Sequence, residues 1–407
     1  MRLRRAWAVG VAAALCLVGV IGQASSAATL PQGGTPSHPA SVRPTSEAAG
    51  PGAEPAGPDA EAAALVDDMT TAEQALSVVM GHIPTTDPAA LRTYMSQGLG
   101  GFILMGANIP GTDAELHAVT EALTADPALP PLIAIDQEGG IVSRLPSDQY
   151  AASTTLKAQP AAATSVAFAS RASLVARSGI SVNFGTVADV TADPSSFIHG
   201  RALGTDPAGA AERVAAATAA QEQFLASTLK HFPGHGAAPG DSHHAIPTTT
   251  LSLADWGAQD AVPFAAGIDA GASLLMFGHL AYTSVDAAPA SLSPRWHEIA
   301  REELGFDGVI VTDDLGMLQS SGIPEYADPV TNAVTAVTAG SDLVLTIAGS
   351  TSETAGRIAA GLTAAVEDGT LSADRLEEAA TRVMTLRLRN AAASATWVPC
   401  PECEPAG

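Results

Sequence analysis

The sequence predicts an α/β fold, a (β/α)8 TIM barrel in a single domain. Three observations predict it. Eight short apolar runs rich in β-formers recur between residues 60 and 390, each followed by a longer alanine-rich stretch with helical spacing. The runs lack polar alternation, as strands buried on both faces of a parallel sheet do. Ionisable residues stand at the ends of several of them, and active sites of such barrels gather at the C-terminal ends of their strands.

The runs are "LSVVMGH" (76–82), "GGFILM" (100–105), "LIAID" (132–136), "ISVNFGTV" (180–187), "STLKHF" (227–232), "SLLMFGH" (273–279), "GVIVTD" (308–313) and "DLVLTI" (342–347). Helices are expected over 161–178, 207–224, 328–339 and 353–368 among others. A doubly wound open sheet is the competing fold. It normally holds fewer strands, and no glycine-rich dinucleotide fingerprint follows any run. Asp136, Lys230 with His231, His279 and Asp313 are ionisable residues at strand ends. Buried strands carry such groups only when they are paired or used.

The flanks read differently. Residues 1–28 have a basic start (Arg2, Arg4, Arg5), an apolar run and small residues around Ala27, the pattern of a secretory signal peptide. The apolar run is short for a spanning helix, so membrane attachment would come only through an uncleaved signal. Residues 29–58 are dominated by Pro, Ala, Gly, Ser and Thr and read as a disordered linker. The folded domain is then expected over 59–392, with a tail over 393–407. That tail holds Cys400 and Cys403, a CxxC between prolines. In an exported chain a small local disulfide is expected there, since one CxxC cannot complete a four-ligand zinc site. A secreted or envelope-associated location follows. Net charge is −23, or −26 once the three leader arginines are removed, which argues against nucleic acid as a partner. Nothing in the sequence fixes the oligomeric state, and a monomer is the expectation.

The most unusual stretch is "KHFPGHGAAPGDSHH" (230–244), with four histidines among glycines and prolines. Pro233 and Gly234 separate His231 from His235, so no helix face presents them together, and neither HExxH nor any regular ligand spacing occurs. No metal and no cofactor is expected. Asp241 and His243 stand two apart and would point the same way in an extended segment. The carboxylate then orients the imidazole and favours its protonated form, suiting it to donate a proton to a leaving group and take one from water. Asp313 and Asp314 close the seventh run, and alternation turns one of them into the mouth. A carboxylate opposite an acid is the layout for glycosidic bond cleavage through a covalent intermediate.

"KHFPGHG" followed by "DSH", with "DQEGG" before and "VTDDLGM" after, resembles the β-N-acetylglucosaminidase branch of glycoside hydrolase family 3 over residues 60–390. That resemblance implies the same barrel. It implies Asp313 as nucleophile, His243 as general acid/base and Asp241 as its partner. It implies Asp136 and Arg144 as residues binding sugar hydroxyls, with Arg201, Lys230 and His231 completing the substrate pocket. His279 falls outside direct contact, His235 is expected to brace the loop, and His244 has no assigned role. The chain departs at Ile141, where the family usually has arginine. Nothing resembling a second sheet domain follows residue 395, so the acid comes from the strand-five loop, which favours 2-acetamido sugars over glucosides. The implied partner is a carbohydrate with terminal β-linked N-acetylglucosamine, from cell-wall fragments or chitin oligosaccharides. Aromatics are only 4% of the chain, and an exo-acting pocket fits that better than a long stacking cleft. Two alternatives stand: phosphorolysis, because a histidine does not repel phosphate as a carboxylate would, and a noncatalytic sugar-binding barrel.

Overall fold

The computed structural model describes residues 57–396. The signal segment, nearly all of the linker and the Cys400–Cys403 pair lie outside the described residues.

Eight strands form the closed barrel: β1 (Val79–Gly81), β2 (Gly101–Leu104), β3 (Leu132–Ile135), β4 (Val182–Val187), β5 (Ala226–Phe232), β6 (Leu274–Phe277), β7 (Val309–Asp314) and β8 (Leu343–Leu345). Each pairs in parallel with its neighbours in sequence, and β8 closes on β1. All eight expected runs contain a strand. The first is shorter than its apolar run because Leu76 and Ser77 end the helix Thr71–Ser77. A reciprocal cap between Thr70 and Glu73 starts that helix, and this local signal outweighs the β-formers behind it.

The barrel interior is filled by inward side chains such as Met80, Ile103, Phe184, Met276, Val311 and Leu345, all buried. Outward residues pack beneath the helices. Leu229, Phe232, Leu275 and Phe277, for example, meet Phe264 and Trp296. Strands buried on both sides explain why the runs show no polar alternation.

Four helices begin on a capping residue followed by proline: Asp87–Pro88, Asp206–Pro207, Ser293–Pro294 and Asp328–Pro329. Proline's missing N–H costs nothing at the first helical position, and the cap oxygen accepts one of the free N–H groups, worth ~1 kcal/mol per cap. Asp206, for instance, accepts from the Gly209 N–H at 2.9 Å. These pairs return the chain from strand ends into the outer helices and leave the C-terminal ends of the strands to the loops that carry polar residues. The last helix, Ala373–Thr396, runs past the expected domain end at 392.

Candidate active site

"DQEGG" folds as its alternation demands. Asp136 and Glu138 point to one side and Gln137 to the other. Gln137 ties the loop together: its Oε1 accepts from the backbone N–H groups of Arg144 (2.8 Å) and Leu145 (3.0 Å), and its amide donates to Asp148 at 2.7 Å. Gly139 and Gly140 have φ of +86° and +73°, which turns the chain back so that the Val142 carbonyl receives the Glu138 and Gly139 N–H groups. A Cβ on Gly139 would lie 2.1 Å from the Arg171 guanidinium, so only glycine fits there.

Asp136 and Glu138 meet three cations: Arg144 of their own loop, Arg201 of the loop after β4 and Lys230 of β5. Lys230 Nζ lies 2.9 Å from Asp136 Oδ1 and 2.7 Å from Glu138 Oε1. Arg201 grips Glu138 with both arms, at 2.9 and 2.7 Å, and Arg144 reaches Asp136 at 3.3 Å. Burial opposes charge on Asp136, Glu138, Lys230 and Arg201, but mutual attraction outweighs it. The pKa values of Asp136 and Glu138 are lowered, and that of Lys230 is raised. Asp136, Glu138 and Lys230 are therefore all ionised.

Lys230 and His231 are consecutive, yet both line the pocket. The ladder between β5 and β6 shifts register between Leu229 and Phe232, and such an irregularity re-aims side chains next to active sites. His231 Nδ1 donates to Asp189 Oδ2 at 2.7 Å, and its Nε2 accepts from Arg201 at 3.3 Å. Asp189 also accepts the His235 backbone N–H at 2.6 Å and thereby fixes the start of the strand-five loop. Trp256 and Tyr282 hold the Pro233 and Gly234 carbonyls of the same loop. His235 braces the loop through its backbone, while its ring nitrogens have no hydrogen-bond partner.

The two aspartates of β7 separate in role. Asp314 is pinned by the backbone N–H groups of Gly316, Ile347 and Ala348 at 2.8–2.9 Å. Asp313 faces the pocket. Burial works to raise its pKa, but His231, His279 and the Asp314 N–H outweigh this and lower it, so the carboxylate is ionised. His279 steadies this strand end from outside the pocket: its Nε2 donates to the Asp314 carbonyl at 2.9 Å, and Ser291 donates to its Nδ1 at 2.7 Å.

Asp241 and His243 pair at the rim, with Nδ1 2.6 Å from Oδ1. The expected route was an extended segment. Residues 242–244 instead form a turn in which Asp241 caps the His243 N–H at 3.0 Å, the local preference of Asp followed by Ser in a glycine-rich loop. The two side chains are 42% and 57% exposed, so the dyad stands at the solvent entrance. His244 is exposed beside it.

One cavity of about 120 Å³ is lined by Asp136, Arg144, Arg201, Lys230, His231, His243 and Asp313 together, with Asp241 behind His243. Its size suits one sugar ring better than a polymer. Sequence reasoning missed Glu138 and Asp189. Asp189 follows the fourth apolar run by two residues and carries the same strand-end signal as the others; Glu138 lies inside the quoted "DQEGG". Among the described residues, no group of three His, Cys, Asp or Glu side chains is arranged to hold a metal ion.

An ionised carboxylate on the floor of a barrel pocket, with a histidine–aspartate pair at its mouth, defines a site of glycosidase type. The model of the glycosyl hydrolase family 3 N terminal domain matches residues 74–386, and the chain belongs to that family. A β-hexosaminidase of Bordetella avium is 38% identical over 264 residues, 61% of this chain and 73% of the relative. A family 3 β-N-acetylglucosaminidase from Paenibacillus sp. str. FPU-7 superposes with a TM-score of 0.74 at 30% identity. That match covers 81% of this chain but 64% of the Paenibacillus chain. A β-N-acetylhexosaminidase from Beutenbergia cavernae superposes with a TM-score of 0.70 at 29% identity, over 79% of this chain and 99% of that one.

Proposed function

We propose that this chain is an exo-acting retaining β-N-acetylglucosaminidase that removes terminal β-linked N-acetylglucosamine through a glycosyl–Asp313 intermediate. The observation that carries the reading is the shared cavity: Asp313 on its floor and the Asp241–His243 pair at its entrance. In this reading Asp313 attacks the anomeric carbon while His243 protonates the departing oxygen. His243 then takes a proton from the water that releases the sugar. Asp136, Arg144, Lys230, His231 and Arg201 hold the sugar hydroxyls. A cavity of about 120 Å³ supports release of single terminal residues. The names of the relatives support the 2-acetamido sugar as the substrate class.

Export is part of the proposal. It rests on the basic, apolar and small-residue order of residues 1–28 and places the substrate, muropeptide or chitin oligosaccharide, outside the membrane. The test is release of p-nitrophenol from p-nitrophenyl N-acetyl-β-glucosaminide, with and without phosphate, followed by purified muropeptides and chitobiose side by side. Hydrolysis in phosphate-free buffer is the expected result. Turnover only with phosphate identifies a phosphorylase, and binding without turnover identifies a sugar-binding barrel.

A further inference from the structure

His235 is buried to 1% exposure and lines the cavity, yet neither ring nitrogen has a hydrogen-bond partner. A buried polar group without a partner is costly, so such a group facing a pocket marks a place where a ligand supplies the bond. The edge of the ring meets Phe197 at a centroid distance of 4.5 Å, and Phe197 lines the same cavity. His235 sits on the same loop as His243, the residue assigned to protonate the glycosidic bond, and both line the cavity. The substituent nearest that bond is the one on C2.

We infer that His235 and Phe197 form the recognition site for the 2-acetamido group, the imidazole pairing with the amide and the phenyl ring packing on its methyl. The inference rests on the proposed N-acetylglucosaminidase reading. Burial drives the His235 pKa down to about 4, although Asp189 works in the other direction, so the ring is neutral at working pH. A neutral imidazole offers one donor and one acceptor, as a secondary amide does, and either tautomer can pair with it. A hydroxyl in place of the acetamido group projects less far toward the ring and carries no methyl to cover Phe197. A site of this type discriminates strongly against substrates that lack the matching group.

The test compares wild type with His235→Phe, which keeps a buried ring and removes both nitrogens. The readouts are kcat/KM on p-nitrophenyl N-acetyl-β-glucosaminide and the inhibition constants of N-acetylglucosamine and glucose. The expected result is a loss of ~10–10²-fold in kcat/KM and in N-acetylglucosamine affinity, with glucose affinity changed less than about 2-fold. Equal losses for both sugars overturn the inference, because they mean that His235 only shapes the loop. No loss for either overturns it as well. A wild-type chain idle on the acetamido substrate refutes the parent reading instead, which keeps the two failures distinct. Phe197→Ala provides a second route that does not depend on how His235→Phe folds. Two extra methylenes would fill the vacated space, so the kcat/KM ratio of N-butanoyl to N-acetyl substrate should rise ~10-fold. An unchanged ratio removes Phe197 from the site and overturns the pair.

Discussion

The Nδ1 atom of His243 lies 2.6 Å from Oδ1 of Asp241, and the same oxygen accepts the His243 backbone N–H at 3.0 Å. One carboxylate therefore sets both the position of the residue and the orientation of its ring, leaving Nε2 as the free edge. If that edge delivers the proton, His243→Ala should impair substrates in proportion to how poor their leaving group is. p-Nitrophenolate leaves with little help. A sugar leaving group should suffer the ~10²–10⁴-fold loss of general acid catalysis. Asp241→Ala should act in the same direction, and His244→Ala should do neither. Single-turnover rates on aryl and disaccharide substrates make the comparison, and equal losses on both would show that His243 donates no proton.

Asp313→Asn should reduce turnover ~10⁴-fold or more while the fold survives, as expected for a nucleophile. Trapping with a 5-fluoro N-acetylglucosaminyl inhibitor and mapping the labelled peptide locates the covalent bond. A label elsewhere, or a free oxazoline product, would assign the nucleophile to another group.

Glu138 bridges Lys230 and Arg201 inside the pocket wall. Glu138→Gln leaves two buried cations facing the single charge of Asp136. Breaking such a buried cluster should cost ~3–5 kcal/mol. Chemical denaturation measures this directly. A variant as stable as wild type would show that the cations find other partners.

Asp260 is buried with Oδ1 unpartnered, and burial, reinforced by Asp189, raises its pKa from 3.8 to about 7. Between these two values the folded state holds a proton that the unfolded state has lost. Its stabilising contribution is complete below pH 3.8 and is lost as pH rises toward 7. Asp260→Asn cannot ionise, so its melting temperature relative to wild type should rise by ~2–6 °C between pH 4.5 and 8. A difference that stays flat with pH would place the carboxyl's titration outside this range.

Dialysis against EDTA should leave activity unchanged. Among the described residues, no three His, Cys, Asp or Glu side chains are arranged to hold a metal ion. Activity that vanishes and returns with added zinc would reverse this expectation.

The barrel was legible because its signals are local. Strands buried on both faces must be apolar throughout, and helices that leave a strand end need caps, so both leave marks in short stretches of chain. The charged strand ends were legible for the same reason: a lysine or aspartate closing an apolar run stands out wherever it lies in the fold. Other features depend on partners far along the chain. Lys230 meets Glu138, and Asp189 holds both His231 and His235. No periodicity records such pairings, and Glu138 and Asp189 escaped notice until the barrel brought the strand ends together. The separation of Asp313 from Asp314 was half visible. Alternation requires that one face the pocket, but only the backbone donors of Gly316, Ile347 and Ala348 select which. The sequence by itself determined the fold, the identity of the polar strand ends and the Asp241–His243 pair, because these follow from burial patterns and from contacts two residues apart. Tertiary structure alone decided which carboxylates bind cations, which aspartate is free and which histidine is left without a partner, because a charge in a barrel mouth is set by the seven other strands around it.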